Sequence, residues 1–426
     1  MFKDLSTIII VLVLVSSFTG ILITSLQTGL TWHLTRRRFR TGGTREDAAG
    51  RVQQQQGHAA REMGIDRAQF VSILKPLSGL EDGLEENLAS FAILEGVPYE
   101  VILSVADPDD PAIEVVERVR RRFPAAPFVL VIGRGLAGRG INRKVSRLVA
   151  AAAVARGDIF FISDSNVRVS PHDIAETLEM FDDPAAGCVS NPFVGEGNRS
   201  LGAVLENQYL LSFVVPGNVL ACYTGVPCVV GKSMAIRREV CDAIGGFQAF
   251  SKVLAEDQSI GLAVRRAGYQ VVLSPVVVKN FIEKRRLWDV LARQIRWGKI
   301  RYSFSKTLFS AEILVNPFAL ASIDFIVAAM AKPAWTRRIA VFLAFTLAVR
   351  LVQSRLIAWF ASAKMTWRHM LLIPVQDLLQ ALAQAAPYFS KEVTWRGHRC
   401  RLGPDSLILD GGRTAGFSVH NQPAGM

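Results

Sequence analysis

Ile159 to Asn166 reads IFFISDSN, and this stretch decides the fold. A short apolar run, Ile159 to Ser163, reads as a buried strand, and the first side chain beyond it is the carboxylate of Asp164. In an open α/β sheet, strand ends are where ligands bind. The same grammar appears upstream, where Val101 to Ala106 is followed by Asp107 in VADPDDP. Working outward, FVSILKP from Gln69 onward, Tyr99–Ala106 and Phe128–Ile132 read as strands. Glu85–Leu94, Ala112–Phe123 and the Ala-rich Lys144–Arg156 read as helices. Strands alternating with helices predict a mostly parallel sheet covered by helices, hence an α/β domain over residues 69–306.

Beyond Ser200 the rhythm loosens. GKSMAIRREV suggests a strand and a helix, IGGF a tight turn, and Gln258–Ala267 a helix. Leu287–Phe304 interleaves Arg and Lys with Trp, Leu, Ile and Tyr at helical spacing, the pattern of a helix lying at a lipid interface.

The ends of the chain are apolar. Leu5 to Thr35 carries no formal charge and is long enough to cross a bilayer of about 30 Å, so residues 5–35 are expected to form a membrane helix. Residues 36–68, which open with Arg36, Arg37, Arg38 and Arg40 and continue through GG and QQQQ, read as a basic, flexible linker. Residues 307–390 hold three further apolar stretches, at 308–330, 339–360 and 370–389, each interrupted by charge: Glu312 and Asp324, Arg350 and Arg355, then Asp377. Charge inside a bilayer is costly, so tilted, re-entrant or domain-packed helices are expected there. Residues 391–426 read as a tail.

Half of the 426 residues are hydrophobic, mean hydropathy is +0.26 and net charge is +12. The basic residues cluster beside apolar segments, which fits anionic headgroups and a cytosolic face, and argues against nucleic acid as partner. Five scattered cysteines without metal-ligand spacing read as reduced thiols of a cytosolic domain.

Several residues carry candidate chemistry. Asp107 can accept hydrogen bonds from a nucleobase or ribose, although DPDDP is also an ordinary solvated turn. Asp164 and Asn166 offer hard oxygens to the divalent cation that a nucleotide diphosphate needs, or simply cap a strand. Asp257, in LAEDQ at a helix start, is a candidate general base or a helix cap. Lys144 can reach a phosphate. Arg293, Arg296 and Trp297 stand at i, i+3 and i+4, hence on one helix face, where guanidinium groups can hold a pyrophosphate and the indole can stack on a sugar. The same face can equally lie on lipid headgroups.

Taken in order, the blocks KPLSGLEDGLEENL, SVADPDDPAIEVV, GINRKVSRL, ISDSNVRVSP, GVPCVVGKSMAIRREV, LAEDQ and RQIRW resemble the ceramide glucosyltransferase family (glycosyltransferase family 21), a branch of the family 2 lineage. The resemblance covers residues 73–301. It implies a GT-A nucleotide-sugar transferase fold, a UDP-sugar donor, Mg²⁺ or Mn²⁺ as cofactor, a membrane lipid acceptor, and inverting displacement. The family's three aspartates and its Arg/Gln-x-x-Arg-Trp motif fall on Asp107, Asp164, Asp257, Arg293, Arg296 and Trp297.

Two departures stand out. Asn166 replaces a second aspartate, and Phe213–Tyr223 lacks a histidine that animal ceramide enzymes carry nearby. A bacterial group that adds N-acetylglucosamine to hopanoids shares several of these elements, including the PVQDLL and VTWRGHR tail, but has the second aspartate. Asn166 therefore favours a ceramide or diacylglycerol acceptor. The remaining alternative is a catalytically silent membrane scaffold, against which the intact aspartates argue. Oligomeric state is left open by the sequence.

Overall fold

The structure, a computed structural model, describes residues 2–42, 69–133, 142–395 and 398–409. Its strands are β1 (Val71–Pro76), β2 (Tyr99–Val105), β3 (Phe128–Ile132), β4 (Ile159–Ser163), β5 (Val167–Arg168), β6 (Ala186–Ser190), β7 (Phe193–Gly197), β8 (Ser233–Arg237), β9 (Gln270–Leu273) and β10 (Val278–Ile282). Seven of them form the central sheet in the order β3-β2-β1-β4-β8-β6-β9. The first four run parallel, as the βαβ rhythm predicts. β8 enters antiparallel to both β4 and β6, which the sequence does not announce. A small second sheet, β5-β10-β7, lies beyond the DSN turn.

The near-continuous apolar strands are explained by burial on both faces. Along β1 and β4, Val71, Ile73, Ile159 and Phe161 face one core, with the short helix Leu84–Ala89 and α2 (Ala112–Arg122). Leu74, Phe160 and Ile162 face the other, against α3 (Arg143–Val154). The IGGF turn is realised by Gly245 and Gly246 at φ 90° and 66°, a region that side chains disfavour.

Later helices are α4 (Leu201–Tyr209), α5 (Val215–Tyr223), α6 (Glu256–Arg266), α7 (Leu287–Phe304), α8 (Pro317–Ala331), α9 (Pro333–Phe360) and α10 (Ile373–Phe389). The N-terminal helix, α1 (Phe2–Gly42), packs against α8 and α9, and these pack on each other. Large apolar side chains such as Leu12, Val15, Phe18 and Leu22 on α1, and Val341, Phe345 and Val352 on α9, point outward into solvent-accessible space. A patch of that extent marks a lipid-facing or partner-facing surface. By length and composition, Leu5–Arg38 and Pro333–Phe360 can cross a membrane, whereas Lys306–Val315 and Pro317–Ala331 form a pair bent by 73°.

α10 is inverted relative to a water-soluble helix. It buries Gln376, Asp377, Gln380 and Gln384 and exposes Val375, Leu378 and Leu382. Asp377 is neutralised by Arg350 of α9, whose Nε and Nη2 each donate at 3.0 Å to its two oxygens, with both side chains buried. The charges that interrupt these apolar stretches are therefore partly a matched pair, as expected where an ion must sit in low dielectric.

One expected boundary moves. The first seven residues of the expected linker, 36–42, continue α1, and Arg38 bonds Asp173 at 2.6 Å and Glu176 at 2.9 Å, so it pins the helix to the α/β domain. The rest of the linker, 43–68, lies outside the described residues. The tail folds as β11 (Glu392–Trp395), β12 (His398–Leu402) and β13 (Ile408–Leu409), an antiparallel sheet against α7; residues 410–426 lie outside the described residues. α7 itself, expected at a lipid interface, is packed between α4 and α10 and buries Val290, Gln294 and Gly298.

Candidate active site

Because β2, β1 and β4 are parallel neighbours, their C-terminal ends share one sheet edge, and Asp107 and Asp164 follow two of them. Asp107 is exposed there and accepts from the Asp109 N–H at 3.0 Å within its own turn. Its neighbour Asp110 does more to shape the edge, accepting from the Gly79 N–H at 2.9 Å and the Ala112 N–H at 2.9 Å.

Asp164 is the centre of a charge cluster. α3 is N-capped by Asn142, whose Oδ1 accepts from the Lys144 N–H at 2.9 Å, and this fixes Lys144 at the helix mouth. Lys144 Nζ then lies 2.9 Å from Asp164 Oδ1, 2.9 Å from Glu256 Oε1 and 3.1 Å from the Gly231 carbonyl. Lys232, brought in by antiparallel β8, lies 3.1 Å from Asp164 Oδ2 and 2.8 Å from Asn166 Oδ1. Lys75, at the end of β1, is fully buried beneath the turn, donating to Ser163 Oγ at 3.1 Å and to the Asp164 carbonyl at 2.9 Å, with its ammonium 3.9 Å above the Phe91 ring.

The protonation states follow. Burial alone pushes Asp164 upward, but the ammonium groups of Lys144 and Lys232 overcome it and hold the carboxyl well below the usual carboxylate range. Burial pushes Lys75 down to about 7, against the pull of Asp164 and Glu81. Lys144 is also pushed down by burial, yet Asp164, Glu256 and Asp257 raise it above the ordinary lysine value.

Asp257 stands apart from this pairing. It opens α6, where its Oδ2 accepts from the Gly231 N–H at 2.7 Å and its Oδ1 from the Gln258 N–H at 2.8 Å. Burial, then the charge of Glu256, pushes it up to about 6, opposed by Lys144 and the two N–H groups. Glu256 is occupied differently, holding Lys144 and accepting from Asn142 Nδ2 at 2.9 Å. Two adjacent carboxylates thus have separate environments, one ion-paired and one with a raised proton affinity, the usual mark of divided acid–base roles.

A divalent cation takes hard oxygen ligands. The Asp164 carboxylate and the Asn166 amide oxygen converge on a single point, which Lys232 Nζ occupies. The donor set fits a magnesium- or manganese-type ion if that ammonium swings aside, with the remaining ligands supplied from outside the protein. Among the described residues, no group of three or more His, Cys, Asp or Glu side chains forms a metal cage.

The arginine helix forms a second group. Arg293 forms an ion pair with Glu206 of α4, its Nη1 2.6 Å from Oε1, with Arg285 Nε 3.5 Å from the other oxygen. Arg296 and Trp297 are half-buried on the same helix, and the Trp297 ring packs 6.0 Å from that of Tyr209. Between the two groups runs GVPCVVG (Gly225–Gly231), whose sequence alone discloses no role. It supplies the Gly231 N–H to Asp257, and its Pro227 carbonyl accepts from Gln258 Nε2 at 2.7 Å. Cys228 within it is pushed up to about 12, chiefly by burial and then by the Asp257 charge, so it is a neutral thiol.

Sequence reading missed Lys75, Lys232 and Glu206. A lysine inside the apolar run VSILKP and a glutamate inside the apolar helix LGAVLENQY were the available signals, since such charges are buried only when paired.

Against known proteins, the ceramide glucosyltransferase 3 of Caenorhabditis elegans is 26% identical over 254 residues, covering 58% of this chain and 54% of that one. The ceramide glucosyltransferase of Komagataella phaffii is 27% identical over 289 residues, covering 54% and 56%. The chain spans about half the length of the curated relatives it matches. Among solved structures, the mannosyltransferase PcManGT of Pyrobaculum calidifontis, in complex with GDP-Man and Mn²⁺, aligns over 88% of this chain and 99% of its own at 15% identity and a TM-score of 0.44. The glucosyl-3-phosphoglycerate synthase of Mycobacterium tuberculosis, with Mn²⁺ and UDP-glucose, aligns over 54% and 77% at 17% identity and a TM-score of 0.31. The model of glycosyl transferase family 21 matches residues 25–408, and the chain belongs to that family.

Proposed function

We propose that the chain is a membrane-bound inverting glycosyltransferase that moves glucose or a similar hexose from a UDP-sugar to a membrane lipid hydroxyl, with a ceramide-type acceptor favoured. The observation that carries this reading is Asp257, a carboxylate with raised proton affinity beside the Lys144–Asp164–Lys232 cluster. A lipid hydroxyl is a poor nucleophile until a base takes its proton. In the proposed step Asp257 accepts that proton as the hydroxyl oxygen bonds to the anomeric carbon. The bond from that carbon to the diphosphate oxygen breaks on the opposite face, and UDP departs with the electron pair.

Lys144 and Lys232 are suited to face the departing diphosphate, and Asp107 to bind the nucleoside. Asp164 and Asn166 would hold Mg²⁺ or Mn²⁺, which when bound offsets diphosphate charge. For Arg293 and Arg296 the proposed role is to clamp the pyrophosphate, Arg293 exchanging Glu206 for it, and for Trp297 to stack on a sugar or acceptor. The arginines that follow the first apolar segment support a cytosolic catalytic domain, where UDP-sugars are made.

Asn166 in place of an aspartate supports a ceramide or diacylglycerol acceptor, whereas the PVQDLL and VTWRGHR tail supports the hopanoid N-acetylglucosamine reading. Mass spectrometry of lipids from a host expressing the chain distinguishes these, since it reports sugar and acceptor together. A new hexosylceramide is expected; an N-acetylhexosamine on a hopanoid would replace the reading, and an unchanged lipid profile with folded protein would refute transferase activity.

A further inference from the structure

A cavity of about 300 Å³ opens between the C-terminal end of α7, the end of α10 and the three-stranded tail sheet. It lies apart from the carboxylate cluster, and its lining carries Lys299, Lys306 and Lys391 with no acidic side chain. Tyr302, Ser303 and Pro387 complete the walls used here. Lys299 is partly held, donating to the Glu392 carbonyl at 2.6 Å, while Lys306 and Lys391 are exposed. The Glu392 carboxylate acts on Lys299 from outside the lining, so Lys306 and Lys391 supply the positive charge that the cavity can offer an anion.

The position of the cavity says which anion. α10 turns its apolar face outward, and that face ends at Phe389, which is 88% exposed and lies two residues before Lys391. On the other wall Leu308, 56% exposed, follows Lys306 at the start of the bent helix pair. Lys306 and Lys391 therefore each sit where an outward apolar surface stops, the level at which a bilayer changes from hydrocarbon to headgroups. The volume is at the lower end of small-ligand sites, enough for a phosphate-bearing headgroup with its acyl chains left outside along α10. We propose that this cavity binds the headgroup phosphate of an anionic phospholipid.

The site is not isolated from the rest of the fold. Its wall includes Gly403 and Pro404, and the next turn places Ser406 so that its N–H donates to Ser303 Oγ at 3.0 Å. The Ser406 carbonyl and hydroxyl accept from Leu254 at 2.9 Å and Ala255 at 3.1 Å, immediately before Glu256 and Asp257. The cavity wall is thus joined by hydrogen bonds to the segment that carries the candidate base. The binding claim stands independently of the transferase reading.

The test uses the purified full chain, reconstituted in nanodiscs of mixed phosphatidylglycerol and phosphatidylcholine, then extracted in detergent and weighed by native mass spectrometry. Wild type should retain phosphatidylglycerol in preference to phosphatidylcholine. The double variant Lys306→Gln/Lys391→Gln should lose that preference by roughly 10- to 30-fold, from about a fivefold effect per lysine near a membrane surface. Lys332→Gln, at the other end of the membrane helices, should retain it. Equal retention by the double variant and wild type would overturn the proposal. So would binding of inorganic phosphate at the lysines without retained phospholipid, which would make the cavity a site for a soluble anion.

Discussion

Gly231→Ala tests the geometry around the candidate base more sharply than removing the base itself. A methyl group at position 231 would sit 2.8 Å from Lys144 Nζ and 3.1 Å from both Cβ and Oδ2 of Asp257. The backbone at 231 lies outside the left-handed region, so the substitution acts through these contacts and not through strain. Lys144 is held by Asp164, Glu256 and the Gly231 carbonyl, so moving its ammonium breaks at least one of the three bonds. Asp257 must retreat by a few tenths of an ångström from the position in which it is proposed to meet the acceptor. Misplacement of a reacting group by about 1 Å costs on the order of 10²-fold, so kcat is expected to fall about 10- to 10²-fold. The cost in stability should stay within about 1–3 kcal/mol, as for other overpacked sites. Gly217→Ala, where the added carbon meets nothing within 4 Å, is the matched control and should leave turnover unchanged. Turnover would be followed by release of UDP in nanodiscs containing ceramide, with melting measured on the same samples. A Gly231→Ala enzyme that turns over like wild type would refute the reasoning.

The pH profile gives the next prediction: with Asp257 raised from 3.8 to about 6, kcat/KM should fall below about pH 6, and Glu256→Gln should move that limb to lower pH by removing a charge that raises Asp257. Because the folded state binds that proton more tightly than the unfolded chain, the group's contribution to stability declines as pH rises from 3.8 to about 6, and Asp257→Asn should remove this slope in melting curves. For the buried pair, Arg350→Met alone should destabilise by about 3–5 kcal/mol, whereas Arg350→Met with Asp377→Leu should recover much of it, as read by thermal melting in detergent. Excess EDTA and Asp164→Ala should each abolish turnover, while Lys232→Gln should tighten Mn²⁺ binding by calorimetry because an ammonium no longer competes for Asp164 and Asn166.

The sheet was legible because β1, β2 and β4 are buried on both faces and read as largely apolar runs, with a carboxylate following two of them. Asp164 and Asp257 could be named for the same reason, each standing at the boundary of a clear element. The antiparallel entry of β8 could not be read, and with it went Lys232, since pairing partners of a strand are set by long-range register. Lys75 and Glu206 were hidden because their partners, Asp164 and Arg293, lie far along the chain. The partners of the basic residues on α7 were not legible: Glu206 and Glu312 pair with Arg293 and Arg301, and both lie on other helical elements. The pairing of Arg350 with Asp377 was not legible because the two lie on different helices of the apolar region. The tail gave no strong pattern, yet it folds because β11 and β12 pair closely and bury Val393 and Leu402 with Leu254.

The central claim is that Asp257 removes the acceptor proton during inverting transfer. Purified wild type and Asp257→Asn in ceramide nanodiscs, each given UDP-glucose, can be compared for product anomeric configuration, turnover and UDP affinity. General-base assistance is typically worth about 10²–10⁴-fold, so the account predicts a β-linked glucosylceramide from wild type and a loss of at least about 10²-fold in the variant, with UDP affinity unchanged. A folded, UDP-binding Asp257→Asn enzyme that makes glucosylceramide at the wild-type rate, or an α-linked product from wild type, would contradict it.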